Sequence, residues 1–468
     1  MYTEERELLR TSLVSRKTKT ILRKLFQVFT YEGKELFLVG GVVRDLLLGK
    51  KPKDFDLCTN ATPQEAKAIV EKYGFGTYDT GIKHGTITIL DSVNNLSFEC
   101  TTYRCDGLYS DGRHPESVEY INSLEEDLKR RDFTINSFAY NLLNHQVYML
   151  SKEYLRDLEF GIIQTVGKPE NRFNEDALRM MRAIRFSALL GFVIEENTYN
   201  AIINCKENIT HISKERIRDE LTKIIMSDNP QLLELVFVTG LAEYLPEIKP
   251  IGDMLTCEHE TPCHYTDVFH HTMDVVKGVP KTFNLRWAAL LHDIGKPSVK
   301  RLKEDTTNQY VYHGHEKASV ELAENVMTTL RFSNAEQSVI EKYIKFHDVD
   351  MISCSNKTFK KYVTEIGEEN FLDFIKLRKA DSLAHWLSKS SRYVLDISKV
   401  YKRYEQLILT PQPLRTKDLA VDGYDLLALG YKGKQIGIIM NTLLDMVLEK
   451  PELNTKEQLL DIIKKENK

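Results

Sequence analysis

The residues best suited to chemistry in this chain fall into three groups. The first is Asp54 and Asp56, in the run LFLVGGVVRDLLLGKKPKDFDLCT from Leu36 to Thr59. Asp54-Phe55-Asp56 alternates polar and apolar residues as a strand does, and residues two apart on a strand point to the same side. Two carboxylates side by side repel unless a cation bridges them. Upstream, Gly40-Gly41 ends an apolar run (Leu36 to Val39) and opens a helical stretch, Val42 to Leu48, that stops at Gly49. A glycine turn before a helix presents free backbone N–H groups that suit a phosphate. Either feature alone is an ordinary turn or a solvated strand face. In succession they are equipment for phosphoryl or nucleotidyl transfer.

The second group is Asp176, Arg179, Arg182 and Arg185, in NEDALRMMRAIRFSALLGF. A spacing of three keeps them on one slowly drifting helix face. Leu178, Met181, Ile184 and Phe186 occupy other sides, which suits a semi-buried stripe lining a cleft. Cytosine and adenine share an edge, an exocyclic amine beside an unprotonated ring nitrogen; uracil and guanine present the reverse. A carboxylate accepts from the amine and an arginine donates to the ring nitrogen. Asp176 and Arg179, three apart on a helix, would therefore accept C and A and reject U and G. Between the two groups, LKRRDFTIN sets Arg130, Arg131 and Asp132 near a phosphate site, although such a run is more often a solvated turn.

The third group is His271, His292-Asp293, His313 and His315, His347-Asp348, and Asp381. Histidine and aspartate at this density suit a divalent metal or a pair of metals. A zinc site of Cys257, His259, Cys263 and His264 has poor ligand spacing.

The elements that must position these groups are legible in outline. Residues 1–35 read as helical and charged, and 36–150 as mixed, with a helix over Pro63 to Tyr73 and strands over Gly85 to Leu90 and Leu96 to Thr101. The polar stretch CDGLYSDGRHPE, near 105–116, reads as a mobile loop. From about 170 the pattern is helical; KERIRDELTKII is amphipathic and structural in character. In the last part, GYKGKQIGIIMNTLL puts glycines and lysines before a helix, a cap that would also suit a nucleic-acid phosphate.

The composition fits this picture. At 468 residues, two to four domains are expected. Hydrophobic content of 42% and charged content of 28% are those of a globular protein, and a net charge of −4 neither advertises nor excludes nucleic-acid binding. The first residues carry charges throughout and no run of eighteen apolar residues occurs, so no signal peptide and no membrane span are expected. Seven scattered cysteines suit a reducing, cytoplasmic setting.

Taken together, these motifs resemble the class II tRNA nucleotidyltransferase and bacterial poly(A) polymerase family, in its form fused to an HD domain. LVGGVVRD with DFD looks like the first family motif, LKRRDFTIN the second and EDALR, Glu175 to Arg179, the base-reading motif. FHHT, LLHDIGK, GHEKAS and RKADSLAH look like an HD metal domain. The resemblance implies an α+β chain: a small polymerase-β-like nucleotidyltransferase head over 1–160, a helical neck over 161–255, an HD domain over 256–385 and a helical, tRNA-binding tail over 386–468. It implies that Gly40, Gly41, Arg44, Arg130, Arg131, Asp132, Asp176, Arg179, Arg182 and Arg185 bind the nucleotide and that Asp54 and Asp56 hold Mg²⁺, with Glu99 a loosely matched third carboxylate. His271, His292, Asp293 and Asp381 match an HD metal set for a second divalent ion; such domains hydrolyse phosphate esters as phosphatases or 2′,3′-cyclic phosphodiesterases.

The implied activity is untemplated, two-metal addition of CMP, CMP and AMP to the 3′ end of tRNA from CTP and ATP. One ion would activate the 3′-hydroxyl and the other neutralise the leaving pyrophosphate. The rivals are an enzyme adding only A, only C or poly(A), and, from another class, an HD phosphohydrolase whose first half only binds RNA. The mixed charge of the tail argues against a poly(A) polymerase.

Overall fold

The computed structural model describes residues 1–10, 12–82, 85–106, 118–258, 267–303, 310–385, 387–409 and 413–466. Most of the polar loop near 105–116, and His259, Cys263 and His264 of the zinc alternative, lie outside them. The chain divides into two units, Met1–Ile224 with Leu232–Pro246, and Ile225–Gln231 with Glu247–Lys468.

The first unit opens with a strand, β1 (Tyr2–Glu5), where the sequence reads helical. Its pairing with a strand near residue 148 is a tertiary contact that charge pattern cannot reveal. Helix begins at α1 (Arg16–Tyr31), where the Ser15 side chain accepts from Thr18 N. There follow β2 (Leu36–Val39), α2 (Gly41–Leu47), β3 (Leu57–Thr59), α3 (Pro63–Lys72), β4 (Gly76–Gly81), β5 (Thr86–Asp91) and β6 (Leu96–Thr102). Next come a small pair, β7 (Arg104–Asp106) and β8 (Val118–Tyr120), then α4 (Leu124–Lys129), β9 (Phe138–Asn141) and β10 (Gln146–Met149).

Eight of these strands form one sheet in the order β1-β10-β9-β2-β3-β6-β5-β4; β3 and β6 run parallel and the other neighbours antiparallel. Phe37 and Val39 alternate onto one face with Cys58 and Ala139, and Leu124 and Leu128 of α4 cover them. Fully burying a side chain such as Leu128 contributes roughly 1.5–3 kcal/mol, so α4 is fixed against the sheet just before the Arg130-Arg131-Asp132 motif.

The unit continues as α5 (Glu153–Phe160), β11 (Ile162–Ile163), α6 (Pro169–Glu175), α7 (Leu178–Leu190), β12 (Val193–Ile194), α8 (Glu196–Cys205), α9 (Lys214–Ile225) and α10 (Glu234–Val238). The short parallel pair β11–β12 interrupts what reads as continuous helix.

Among its described residues, the second unit is helical apart from one small hairpin. Its elements are α11 (Lys249–Asp253), α12 (Val268–Gly278), α13 (Phe283–Leu291), α14 (Lys296–Val299), the hairpin β13 (Arg301–Leu302) and β14 (Tyr310–Val311), α15 (His315–Thr329), α16 (Asn334–Phe346), α17 (Asn356–Ile366) and α18 (Glu368–Ala384). Then come α19 (Leu387–Leu409), α20 (Gly423–Ala428), α21 (Lys434–Glu449) and α22 (Lys456–Glu466). Trp287 of α13 is fully buried and meets Phe332 edge to face at 4.9 Å. Gly295, just ahead of α14, lets α15 come close: a Cβ there would stand 2.4 Å from Ser319 N. Leu426, Leu443, Val447 and Leu459 form a separate small core for the last three helices. Among the described residues, no helix is long and apolar enough to cross a membrane.

Candidate active sites

In the first unit the glycine turn is fixed twice over. Gly40 has φ +75°, and a Cβ there would lie 3.2 Å from Arg131 Nη1. Positive φ and close approach both favour glycine. Arg44, one turn into α2, is buried; its Nη1 donates to Asn136 Oδ1 at 2.7 Å and its Nη2 to Asp45 Oδ1 at 2.7 Å.

Asp54 and Asp56 lie just ahead of β3 rather than inside a strand, because regular pairing starts at Leu57. The ladder still reaches Asp56, whose carbonyl accepts from Val39 N at 3.0 Å. Phe55 meets Phe98 of β6 at 6.4 Å between ring centroids, which leaves the flanking aspartates to the opposite side. The parallel register Leu57↔Cys100 brings Asp56 alongside Glu99, which alternates away from Phe98 in the same way. Burial, the Glu99 carboxylate and Asp54 raise the Asp56 pKa against the pull of Arg131. Asp56 is thus close enough to two other carboxylates to feel their charge, a repulsion that a divalent cation would relieve; the three do not form a group with all oxygens within 4.8 Å of one another.

The arginines around this edge are each tied to an anionic or carbonyl partner. Asp127, fully buried on α4, accepts from Arg130 Nη2 at 2.7 Å and Arg131 Nη2 at 2.9 Å. Burial opposes its ionisation, but Arg131 and Arg130 hold its carboxyl below the usual range. Asp132 is also buried. Arg182 donates to it through Nε at 2.9 Å and Nη2 at 2.5 Å, and Phe133 N and the Asn136 amide donate to its other oxygen. Asn136 thus links Arg44 to Asp132 and Arg182. Arg179 donates to Glu175 Oε2 at 2.6 Å and to the carbonyls of Arg172 and Arg130. Arg185, nearly buried, pairs with the buried Glu220 of α9 at 3.2 Å. The Phe186 ring lies within cation–π reach of Arg185 at 4.1 Å, Arg44 at 5.4 Å and Arg182 at 5.5 Å.

Asp176 departs from the expectation of one helical face. It ends α6 in extended conformation, φ −144° and ψ 103°, and α7 starts beyond it at Leu178. Its Oδ1 accepts from Leu178 N at 3.0 Å, a capping bond that suits a chain break between two helices. Arg179, Arg182 and Arg185 do share α7.

Sequence reasoning missed Asp127, Asn136, Arg216 and Glu220. Asp127 was within reach of it, since three- and four-residue spacing to Arg130 and Arg131 is the helical pairing rule. Arg216 and Glu220 sit in the segment read as structural, and their partners lie 40 and 35 residues away.

The second unit gathers a histidine–aspartate centre. Two triads have donor atoms within 4.8 Å of one another: His271, His292 and Asp293, and Asp293, His315 and His347. All five residues are buried. His271 Nε2 lies 3.1 Å from Asp381 Oδ1, and His292 Nε2 lies 3.2 Å from Asp293 Oδ2. Asp293 Oδ1 lies 3.5 Å from His315 Nε2 and 3.6 Å from His347 Nε2. Asp293 therefore faces both triads. Lys296 Nζ stands 2.7 Å from its Oδ2. Burial opposes ionisation of Asp293, but His292 and Lys296 hold its carboxyl well below the ordinary range.

The tautomers follow from the carbonyls. His292, His315 and His347 set Nδ1 at 2.8, 3.0 and 2.7 Å from the oxygens of Ala289, Tyr312 and Ile344. A carbonyl only accepts, so Nδ1 carries a proton in each ring, and in a neutral ring Nε2 is the nitrogen left to bind a metal. His315 Nε2 and His347 Nε2 lie 3.1 Å apart, and either can donate or accept according to its protonation. His292 Nε2 and Asp293 Oδ1 are buried without a hydrogen-bond partner. These donors fit metal ions. His313 and Asp348 are exposed and belong to neither triad.

Comparison with known proteins assigns these parts. A Poly A polymerase head domain matches residues 36–164, a probable RNA and SrmB-binding site of polymerase A matches 191–251, and an HD domain matches 268–384. The class is a nucleotidyltransferase head joined to an HD domain. A CCA-adding enzyme of Lactobacillus gasseri is 33% identical over 442 residues, covering 93% of this chain and 94% of its own; that of Lactobacillus johnsonii is 33% identical over 438, covering 92% and 93%. The crystal structure of the Bacillus stearothermophilus CCA-adding enzyme in complex with CTP superposes with a TM-score of 0.71 at 26% identity, covering 97% of this chain and 99% of that one. The chain belongs to the CCA-adding enzyme family.

Proposed function

We propose that this protein, in the cytoplasm, adds CMP, CMP and AMP in turn to the 3′ end of tRNA, taking CTP and ATP as substrates. The observation that carries this reading is the electrostatic coupling of Asp56 to Asp54 and Glu99, beside the Gly40 turn and an arginine network that reaches Arg179, with Asp176 just ahead of that arginine in the chain. The turn and Arg44 receive the triphosphate, and Arg130 and Arg131, held by Asp127, lie over it. Asp132 acts through Arg182, which it orients. Asp176 and Arg179 read the base edge by accepting from the amine and donating to the ring nitrogen. Asp54 and Asp56, with Glu99, would hold Mg²⁺, which when bound supplies charge neutralisation for the attacking hydroxyl and the pyrophosphate. The work divides among a head over 1–160, a neck over 161–255, an HD domain over 256–385 and a tRNA-binding tail over 386–468; the three matched family models support the first three of these.

The test is incorporation of labelled nucleotide into tRNA lacking its 3′ CCA, with CTP alone, ATP alone and both. Two additions with CTP, and a third that needs ATP, are expected. A-only or C-only addition, or a run of A, selects one of the rivals.

The two buried triads that share Asp293 favour a second reading for the HD part, hydrolysis of a phosphate ester such as a 2′,3′-cyclic phosphate. His271, His292, Asp293 and Asp381 would hold one divalent ion, and Asp293, His315 and His347 a second, which when bound supply Lewis-acid chemistry. Lys296 would face the phosphate from beside Asp293. Phosphodiesterase activity that survives Asp54→Ala and is lost in His292→Ala supports this reading; a pure protein inert toward such esters with Mn²⁺, Ni²⁺ or Mg²⁺ rejects it.

A further inference from the structure

The backbone of Asp176 caps α6, its N–H donating to Arg172 O at 3.3 Å and its carbonyl accepting from Arg179 N at 3.0 Å, but its side chain lies on neither helix face. The residue stands in extended conformation between α6 and α7, so the side chain's orientation depends on what its carboxylate bonds. Leu178 N donates to Oδ1 at 3.0 Å. Arg216, from the first turn of α9, donates to both oxygens, Nη1 to Oδ1 at 3.4 Å and Nη2 to Oδ2 at 2.9 Å. The pair is largely sheltered, with side chains 24% and 17% exposed. Arg179 is anchored elsewhere, through Glu175 and two backbone carbonyls. The two halves of the base reader thus have separate supports on separate elements.

We infer that Arg216 is a specificity-determining positioning residue: its fork sets the plane of the Asp176 carboxylate, so that a remaining lone pair meets the exocyclic amine of C or A. This rests on the reading of Asp176 and Arg179 as the base-reading pair. A guanidinium fork fixes a carboxylate in plane and in rotation, where a single point charge fixes only distance. With the fork gone, the carboxylate can tilt away or take a bridging water. A water donates or accepts, so the rejection of a uracil carbonyl at that edge weakens.

The test compares kcat/KM for CTP and UTP on the same tRNA in the full chain, with Arg216→Ala, Arg216→Lys, Asp176→Ala and the Arg216→Ala/Asp176→Ala double variant. Arg216→Ala is expected to lower the CTP-to-UTP ratio roughly tenfold, within the range of one bidentate contact. Arg216→Lys keeps charge but not the fork and should recover only part of it. The double variant should match Asp176→Ala. A ratio within about twofold of wild type in Arg216→Ala, even with slower addition of every nucleotide, overturns the inference and leaves Arg216 as a tie between α9 and the α6–α7 junction. An unchanged ratio in Asp176→Ala sinks the base-reading assignment itself. If Arg216→Ala does not fold, Arg216→Gln and Arg216→Lys carry the same comparison.

Discussion

Asp56 works against the fold in which it stands. Its folded pKa is raised by burial, Glu99 and Asp54, so the folded state holds that proton more tightly than the unfolded chain does. Its contribution to stability is therefore full below the unfolded value, about 3.9, and lost as pH rises through the folded one. Asp56→Asn should accordingly abolish nucleotide addition yet unfold at higher urea than wild type at pH 7, by roughly 0.2–1 kcal/mol. The gain should shrink as pH falls toward 4. A less stable Asp56→Asn at pH 7 would refute the repulsion. Arg179→Ala should relax discrimination between CTP and UTP, and unchanged selectivity would remove its base-reading role. The glycine turn and the aspartates were legible in the sequence because a strand's period of two and a helix's first turn are local rules. The Arg216–Asp176 fork was not, because it joins side chains 40 residues apart, and nothing in KERIRDELTKII marks which charge faces inward.

At the scale of elements, the buried pair of Arg185 and Glu220 ties α7 to α9. Glu220→Ala would leave Arg185 buried without its carboxylate, a loss of about 3–5 kcal/mol readable in urea unfolding. A variant within 0.5 kcal/mol of wild type would mean that Arg185 reaches water. Gly295→Ala drives a Cβ into the backbone of α15. It should displace His315 from Asp293, lower metal uptake by the purified protein and still permit CCA addition; undiminished metal uptake would contradict the close approach. Helices α2, α3 and α7 were legible from caps and apolar spacing. Strand β1 was not, since YTEE has no strand pattern and owes its conformation to β10. The break at Asp176 was hidden for a related reason: three-residue spacing continues through it although the helix does not.

For the whole molecule, the two units have their own cores and their own candidate centres. Added Mn²⁺ should therefore raise the melting temperature of wild type, and His292→Ala should lose that rise while CCA addition stays within about twofold. Loss of nucleotide addition in that variant would show that the units depend on each other. His292 and His347 are also the C-caps of α13 and α16, with ring protons on carbonyls of the final turn. A cation on the far ring nitrogen polarises that N–H toward the carbonyl, at the end of the helix where positive charge is favoured. Occupancy of the centre should therefore register as slower deuterium exchange in the closing turns of both helices, and chelation as fraying there. An HD centre that hydrolyses nothing would, on this account, still serve as a clasp, and selection could retain its ligands for that reason alone.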